Sequence, residues 1–543
     1  MKPEGEPAGR LLGRLKRRDP RIAETLSGVY PGSDEFSLAR EYERYQKALQ
    51  CFVSAYGPDS EVAVFRAPGR LNILEYLDMA RGPHLSAALD RDLLLVASCC
   101  EGDELEVVHC NPLEFPPLRL RPVEELRRLR GEACAKTWAE AVRSHPHAGR
   151  DRGDYANYLL APLLRIMWEE GTLPTTGMRW ALGPSALPMR AGLSSSSALV
   201  VLGYLAFRWC NHHRQSNDLL ETARMLGEAE WYVGTRGGAN DHMTILLNPS
   251  GGVVINHHEA SPPWAEPLPF PDGIEILVIH TLWEADKAMG AMGEFNTRRG
   301  EMDLAATLVC KYHPELSDRF IHLGSLSPDF LGVTKEEVEQ VVESLPEYMS
   351  VEEAGAILGV DAGEILRRFP AVPNAPYRLR SRAGFFQKEL ELGGRIKEIL
   401  LRSREVKAGS PEHEELLSTF GCAINEIQQL LREDMEVSCM GIDDLAILLG
   451  GIRGVLGAKL TGAGFGGCVA AFCREGQAEN VAEVVKQRYF VPGRFDLYRR
   501  RITEIPNSAV RQALIKRMEE GLSHPERAIL DVRIASGAGR MDF

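Results

Sequence analysis

Leu187-Pro188-Met189-Arg190-Ala191-Gly192-Leu193-Ser194-Ser195-Ser196-Ser197-Ala198-Leu199 begins as a loop and ends in an apolar run that continues to Phe207. Pro188 and Gly192 keep regular structure out of the residues before the serines. From Ala198 the chain is almost wholly apolar, and at that length a helix is expected rather than a strand. A loop of small residues feeding the N-terminus of a buried helix leaves backbone N–H groups unpaired and aims the positive end of the helix dipole outward, which suits an anion. A single serine there reads as an N-cap on a core helix. Four serines after a glycine could instead hold a phosphate or a metal.

The bulk properties narrow the setting. A chain of 543 residues has room for two to four domains. Its 44% hydrophobic and 26% charged residues are ordinary for a globular protein. A net charge of −13 argues against non-specific nucleic-acid binding and against an anionic membrane surface. Eleven cysteines without a CxxC pair argue against structural zinc and suit a reducing compartment. The N-terminal stretch lacks the apolar core of a signal peptide, and the longest apolar runs, about ten residues, are too short to span a bilayer. A soluble cytoplasmic protein is expected.

Working outward from the serines, a short helix is expected over Pro20–Ser27 and a long one over Glu35–Tyr56, stopped by Gly57-Pro58. Val62–Phe65 reads as a short strand broken by Ala67-Pro68-Gly69-Arg70. Strands are expected at His84–Cys99, Glu104–His109, Gly177–Leu182, Gly252–Asn256, Ile274–His280, Ala458–Thr461, Cys468–Phe472 and Ile529–Ile534. Helices are expected over Ala135–Glu170 with a polar interruption, and over Asp218–Tyr232, Ala285–Tyr312, Arg378–Arg404, His413–Arg432 and Gln477–Arg488. Strands cluster early and helices between about 285 and 450, which suggests α+β in two lobes rather than a βαβ alternation.

Three glycine-bearing loops carry the chemistry: Ala67–Asn72, Pro188–Ser197 and Gly462–Gly467. The third contains a GxGxxG match, but a strand follows it where a dinucleotide fold needs a helix. Neither the GxxxxGK[ST] phosphate loop nor the protein-kinase motif set is present. Together, in order, the motifs Ala67-Pro68-Gly69-Arg70-Leu71-Asn72, Pro188–Ser196 and Leu460-Thr461-Gly462-Ala463-Gly464-Phe465-Gly466-Gly467-Cys468 resemble those of the GHMP small-molecule kinases, and among them the galactokinase and N-acetylgalactosamine kinase branch. Val233–His242 is similar to that branch's Gly-Thr…Met-Asp-Gln segment, and Phe295-Asn296-Thr297-Arg298-Arg299 to its Tyr-Asn-x-Arg-Arg helix.

The resemblance implies a two-lobed α+β GHMP kinase fold, with an N-terminal lobe like ribosomal protein S5 domain 2 and a ferredoxin-like α+β C-terminal lobe. Its expected divisions are an extension over 1–34, an N-terminal domain over 35–272 and a C-terminal domain over 273–543 with an insert near 489–528. It also implies ATP-dependent phosphorylation of a small-molecule sugar, with Mg²⁺ as the counter-charge. On this reading ATP is held by Pro188, Arg190, Ala191, Gly192, Leu193, Ser194, Ser195, Ser196, Ser197, Gly462 and Gly464. Ser196 matches the metal-binding serine, and Glu230 is its candidate carboxylate partner. Asp241 is the candidate base for the sugar hydroxyl and Arg70 the cation beside it. Such a cation lowers the pKa of the carboxyl and weakens it as a base.

The sugar pocket is where the chain departs from the pattern. The family's Gly-Glu-His-x-Asp appears as Ile73-Leu74-Glu75-Tyr76-Leu77-Asp78, one residue short. Glu75 and Asp78 keep the acidic pair that accepts sugar hydroxyls, and Asp241 completes the substrate set. Tyr76 replaces the histidine, and Phe295 replaces a hydroxyl-bearing tyrosine. Losing a hydroxyl reader shifts selectivity strongly, so galactose, N-acetylgalactosamine, arabinose and a uronic acid stay open. Arg190 stands where a glycine is expected, the feature that favours the alternative of a non-catalytic sugar- and ATP-binding regulator. Arg298 and Arg299 are expected to form ion pairs along their helix.

Overall fold

The computed structural model describes residues 4–76, 79–131, 137–144, 154–188, 192–211, 218–234, 238–257, 264–284, 291–320, 322–372 and 375–543. Asp78, Arg190 and Ala191 lie outside them. The chain forms two compact units: Met1–Arg70, Ala87–Val254 and Arg533–Phe543 make the first, and Leu71–Ser86 with Ile255–Val532 the second. These are not contiguous halves divided near residue 272. The extension over 1–34 groups with the first unit because Leu11, Leu15, Ile22 and Leu26 share one core with Tyr45, Leu49 and Phe52 of the Glu35–Tyr56 helix. Among the described residues no helix is long and apolar enough to cross a membrane.

In the first unit the sheet runs Glu6–Pro7, Glu61–Asn72, Pro83–Cys100, Gly177–Leu182, Leu105–His109, Leu118–Leu120. Glu6–Pro7 pairs antiparallel with Glu61–Asn72, Pro83–Cys100 with Gly177–Leu182, and Leu105–His109 with Leu118–Leu120, whereas Leu105–His109 runs parallel to Gly177–Leu182 with Val107 opposite Trp180. The expected break at Ala67-Pro68-Gly69-Arg70 does not occur, and Glu61–Asn72 is one continuous strand. Proline's fixed φ is compatible with extended backbone, and beyond Arg66 the strand meets the serine loop, with the Arg70 N–H donating to the Leu193 carbonyl at 3.2 Å.

The helices Tyr155–Glu170, Ser195–Cys210, Leu219–Ala229 and Asn240–Leu247 pack on one another. The serine helix is buried along almost its whole length, as its apolar composition requires. Asp218 caps the Leu219–Ala229 helix through the Glu221 N–H, and a short 3-10 turn, Glu230–Val233, follows it.

The second unit is built on a four-stranded antiparallel sheet in the order Val455–Thr461, Cys468–Arg474, Ile274–His280, Ile529–Val532. Val278 lies opposite both Ala470 and Leu530. The helices Pro411–Glu433, Met440–Gly450 and Ala478–Arg488 pack on this sheet, and Arg380–Arg402 packs on the first of them. The insert near 489–528 contains the helices Asp496–Thr503 and Ser508–Ser523.

Candidate active site

The strand Glu61–Asn72 delivers Arg70 to the N-terminus of the helix Asn240–Leu247, where Asp241 is the second residue. Arg70 grips Asp241 with two parallel donors, Nε to Oδ1 at 2.6 Å and Nη2 to Oδ2 at 3.2 Å. Its third donor, Nη1, reaches the Gly192 carbonyl at 2.6 Å. The Ser194 hydroxyl donates to Asp241 Oδ2 at 2.5 Å. The loop quoted first is thus tied to the strand on one side and to the carboxylate on the other.

Burial raises the Asp241 carboxyl, but the Arg70 guanidinium, its hydrogen bonds and that of Ser194 outweigh it and hold the group below the ordinary aspartate value. The position in the first helical turn favours the anion as well. The Asp241 side chain nonetheless keeps 30% of its surface exposed, against 9% for Arg70. The carboxylate is fixed in charge and direction and still accessible.

Ser194 is the N-cap residue of the serine helix, yet its hydroxyl makes no capping bond because it is committed to Asp241. Its backbone is left-handed, with φ 57° and ψ 43°, a conformation that costs a non-glycine residue energy and is found where geometry is imposed. The first bond of the helix runs from the Ala198 N–H to the Ser194 carbonyl at 3.0 Å. The N–H groups of Ser195, Ser196 and Ser197 therefore precede the ladder and are the donors a bound anion would use. Gly69 is needed by close approach: a Cβ there would sit 2.8 Å from the Leu193 carbonyl oxygen and overlap the Leu187 side chain. Leu193, buried, anchors the loop, and Pro188 is half-buried.

Glu230 is buried at the end of the Leu219–Ala229 helix and is no solvated glutamate. Its Oε1 accepts the hydroxyl of Ser197 at 2.8 Å, and His242 Nε2 lies 3.4 Å away. The serine that meets Glu230 is thus Ser197, one residue beyond the expected Ser196. Among the described residues no group of three or more His, Cys, Asp and Glu forms a metal cage. A serine hydroxyl and one carboxylate still fit Mg²⁺, which takes one or two carboxylates plus substrate phosphates.

In the second unit the residues after Arg70 meet the third motif. Glu75 is buried; its Oε1 accepts the Gly462 N–H at 2.6 Å and Asn72 Nδ2 at 3.1 Å, and its Oε2 accepts Lys459 Nζ at 2.7 Å. The Tyr76 ring is buried and its hydroxyl donates to the Ala463 carbonyl at 2.5 Å. Gly464, at φ +76°, leaves no room for a Cβ against the Val437 carbonyl, which accepts the Phe465 N–H at 2.7 Å. Phe295 is half-buried on the Ala291–Tyr312 helix. On the same helix Arg298 pairs with Glu301, and Arg299 with Asp303 and the Met79 carbonyl.

Two residues of this cluster escaped the sequence reading. Lys459 is a lysine in an apolar strand, and Glu389 falls on the apolar stripe of its helix between Phe385, Phe386, Leu392 and Ile396. A charge at a core-facing position was the signal for both.

Comparison with known proteins fits this geometry. Residues 157–248 match the GHMP kinases N terminal domain, residues 414–491 the GHMP kinases C terminal, and residues 50–99 the galactokinase galactose-binding signature. The chain thus carries matches to both GHMP kinase domains and to the galactokinase galactose-binding signature. It is 23% identical over 497 residues to the galactokinase of Dictyostelium discoideum, covering 87% of this chain and 92% of that one. It is 24% identical to the galactokinase of Bos taurus, covering 82% and 92%. Lactococcus lactis galactokinase complexed with galactose superposes with a TM-score of 0.59 at 18% identity, over 90% of this chain and 98% of that one, and shows the shared fold.

Proposed function

We propose that this chain transfers the γ-phosphoryl group of ATP to the anomeric hydroxyl of galactose or a closely related sugar. The Arg70–Asp241–Ser194 arrangement carries the reading: a cation and an oriented carboxylate beside the N–H groups that precede the first bond of the serine helix. The sugar oxygen forms the new bond to phosphorus, the bond to the ADP leaving group breaks, and Asp241 takes the hydroxyl proton. Because Arg70 weakens that base, the proton moves late, and Arg70 serves chiefly to stabilise charge on the phosphoryl group. The serine loop holds the triphosphate through the N–H groups that precede the helix. Mg²⁺, when bound through Glu230 and Ser196 or Ser197, neutralises phosphate charge.

Tyr76 spends its hydroxyl on Ala463, and Phe295 has none to offer, so the pocket reads fewer sugar hydroxyls than the family pattern would. Galactose, N-acetylgalactosamine, arabinose and a uronic acid are the candidates. The test is sugar-dependent ADP release across a panel of aldoses and uronic acids, with mevalonate as a control. Turnover of one sugar confirms the class and names the substrate. ATP binding without turnover of any sugar would make the chain a non-catalytic sugar- and ATP-binding regulator instead.

A further inference from the structure

Glu389 lies in the middle of the Arg380–Arg402 helix and is fully buried. Its Oε1 accepts the backbone N–H of Glu75 at 2.9 Å, while its Oε2 is buried without a partner among the described residues. Lys459, also fully buried, spends all three ammonium protons nearby: on Glu75 Oε2 at 2.7 Å, the Asn72 carbonyl at 3.1 Å and the Leu460 carbonyl at 2.8 Å. One buried ammonium therefore faces two buried carboxyl groups. A second unbalanced charge in such a place is costly, and the remedy is to keep a proton on one carboxyl. Lys459 bonds directly to Glu75, so the proton belongs to Glu389.

The surrounding charges do not alter that balance. Glu75 faces Glu389 from the Leu71–Tyr76 segment and Lys459 from the Val455–Thr461 strand. Charged groups on elements packed against this helix pair with other residues of it and not with Glu389: Glu266 with Lys397, Glu426 with Arg395, Lys335 with Glu391, and Glu301 and Glu436 with Arg382. On the nearby Leu323–Ser325 turn, His322 pairs with Asp303. Burial, reinforced by the Glu75 carboxylate, pushes the Glu389 carboxyl up to about 8, against the opposing pull of the Glu75 and Tyr76 N–H groups and Lys459.

We infer that Glu389 is a positioning residue of the kinase: in its neutral form it acts through Glu75 and Lys459 to hold the Leu71–Tyr76 segment against the Gly462–Gly467 loop. Glu75 ties the two by accepting the Gly462 N–H, and Tyr76 adds its bond to Ala463. Ionisation of Glu389 puts an uncompensated charge under this junction and loosens both segments at once. The inference rests on the kinase reading for its effect on substrate. Since the proton is held in the folded chain and lost from the unfolded one above the ordinary glutamate value, the stability it confers is fully present below that value. It is lost as pH rises through about 8.

The experiment compares the full chain, Glu389→Gln and Glu389→Leu for KM, kcat and unfolding midpoint across the pH range from about 5 to 9. In the wild type the KM for sugar and for ATP are expected to rise together, about fivefold or more, as Glu389 ionises, with kcat moving less. Glu389→Gln keeps the acceptor without the titration, so both constants stay near their neutral values throughout. Glu389→Leu raises both at neutral pH. A Gln variant with the wild-type pH profile, or a Leu variant with unchanged constants, overturns the inference. If Glu389→Leu does not fold, the Gln profile decides alone. A wild type without sugar-dependent turnover refutes the kinase reading only; the Glu389 proton is then tested by whether Glu389→Gln abolishes the fall in unfolding midpoint with rising pH, and an unaltered slope overturns it.

Discussion

Arg70 and Asp241 meet side by side, Nε on Oδ1 at 2.6 Å and Nη2 on Oδ2 at 3.2 Å, although 171 residues separate them in the chain. The pair fixes the direction of the carboxylate before any substrate arrives. Asp241→Asn removes the proton acceptor and leaves the guanidinium without its counter-charge. Turnover is expected to fall by about 10²- to 10⁴-fold, with ATP affinity little changed. ADP release and an ATP titration measure the two, and near-wild-type turnover would show that Asp241 is not the base.

Removing the cation has a signature in pH. With Arg70 present the Asp241 carboxyl lies below its ordinary value, so its contribution to stability is held above that value and lost only as pH falls through the depressed one. In Arg70→Met burial acts unopposed by the guanidinium and the pKa rises. The sign then reverses, and stability declines as pH rises. The unfolding midpoint of Arg70→Met, relative to wild type, should drop as pH rises above the ordinary aspartate value. A constant difference would mean that the two charges are not coupled.

Ser194 separates backbone strain from hydrogen bonding. Its φ of 57° suits glycine. Ser194→Ala loses the bond to Asp241 and keeps the strain, whereas Ser194→Gly loses the bond and relieves it. Thermal unfolding should find the glycine variant more stable than the alanine variant by about 1 kcal/mol, with turnover lowered in both. Equal stabilities would show that the left-handed turn is unstrained.

Gly69→Ala inserts a methyl group 2.8 Å from the Leu193 carbonyl oxygen. Leu187 can move but the backbone of the serine loop cannot do so freely. A loss of about 2 kcal/mol or more is expected, together with a raised KM for ATP. An unchanged KM would show that the loop tolerates displacement.

The two neighbouring serines can be told apart. Ser197 is buried and bonds Glu230, so Ser197→Ala leaves a buried carboxylate short of a donor and should cost about 1–3 kcal/mol of stability. Ser196→Ala should leave stability near wild type and raise the Mg²⁺ concentration needed for half-maximal rate. If the metal requirement moves only with Ser197, the metal-binding serine is that one.

Much of the fold was legible because periodicity and stop signals agreed with packing. Glu35–Tyr56, Gly177–Leu182 and Ile274–His280 form over the expected residues. The strand through Ala67-Pro68-Gly69-Arg70 was not, because Pro and Gly mark turns in isolation. Here they mark a strand that another segment approaches closely. The non-contiguous units were not legible either, since the contacts that draw Leu71–Ser86 to Val455–Thr461 are long-range. In the site, Arg70, Ser194 and Asp241 could be named from motifs and do meet. Glu75 was expected to face a sugar, but three donors from its own unit engage it. Those include Lys459, whose role only the folded chain reveals.

The first unit takes residues 533–543 from the far end of the chain, and the attachment is not incidental. Arg66 donates to the Ser536 and Gly537 carbonyls, Asn248 Nδ2 to the Ala535 carbonyl, and Gly539–Arg540 pairs with Phe65 and Arg66. During synthesis, residues 533–543 emerge from the ribosome only after the whole of residues 255–532. The strand bearing Arg70 therefore waits, with an open edge and unmet donors, through translation of the entire second unit. The first unit is therefore completed only when this returning segment arrives.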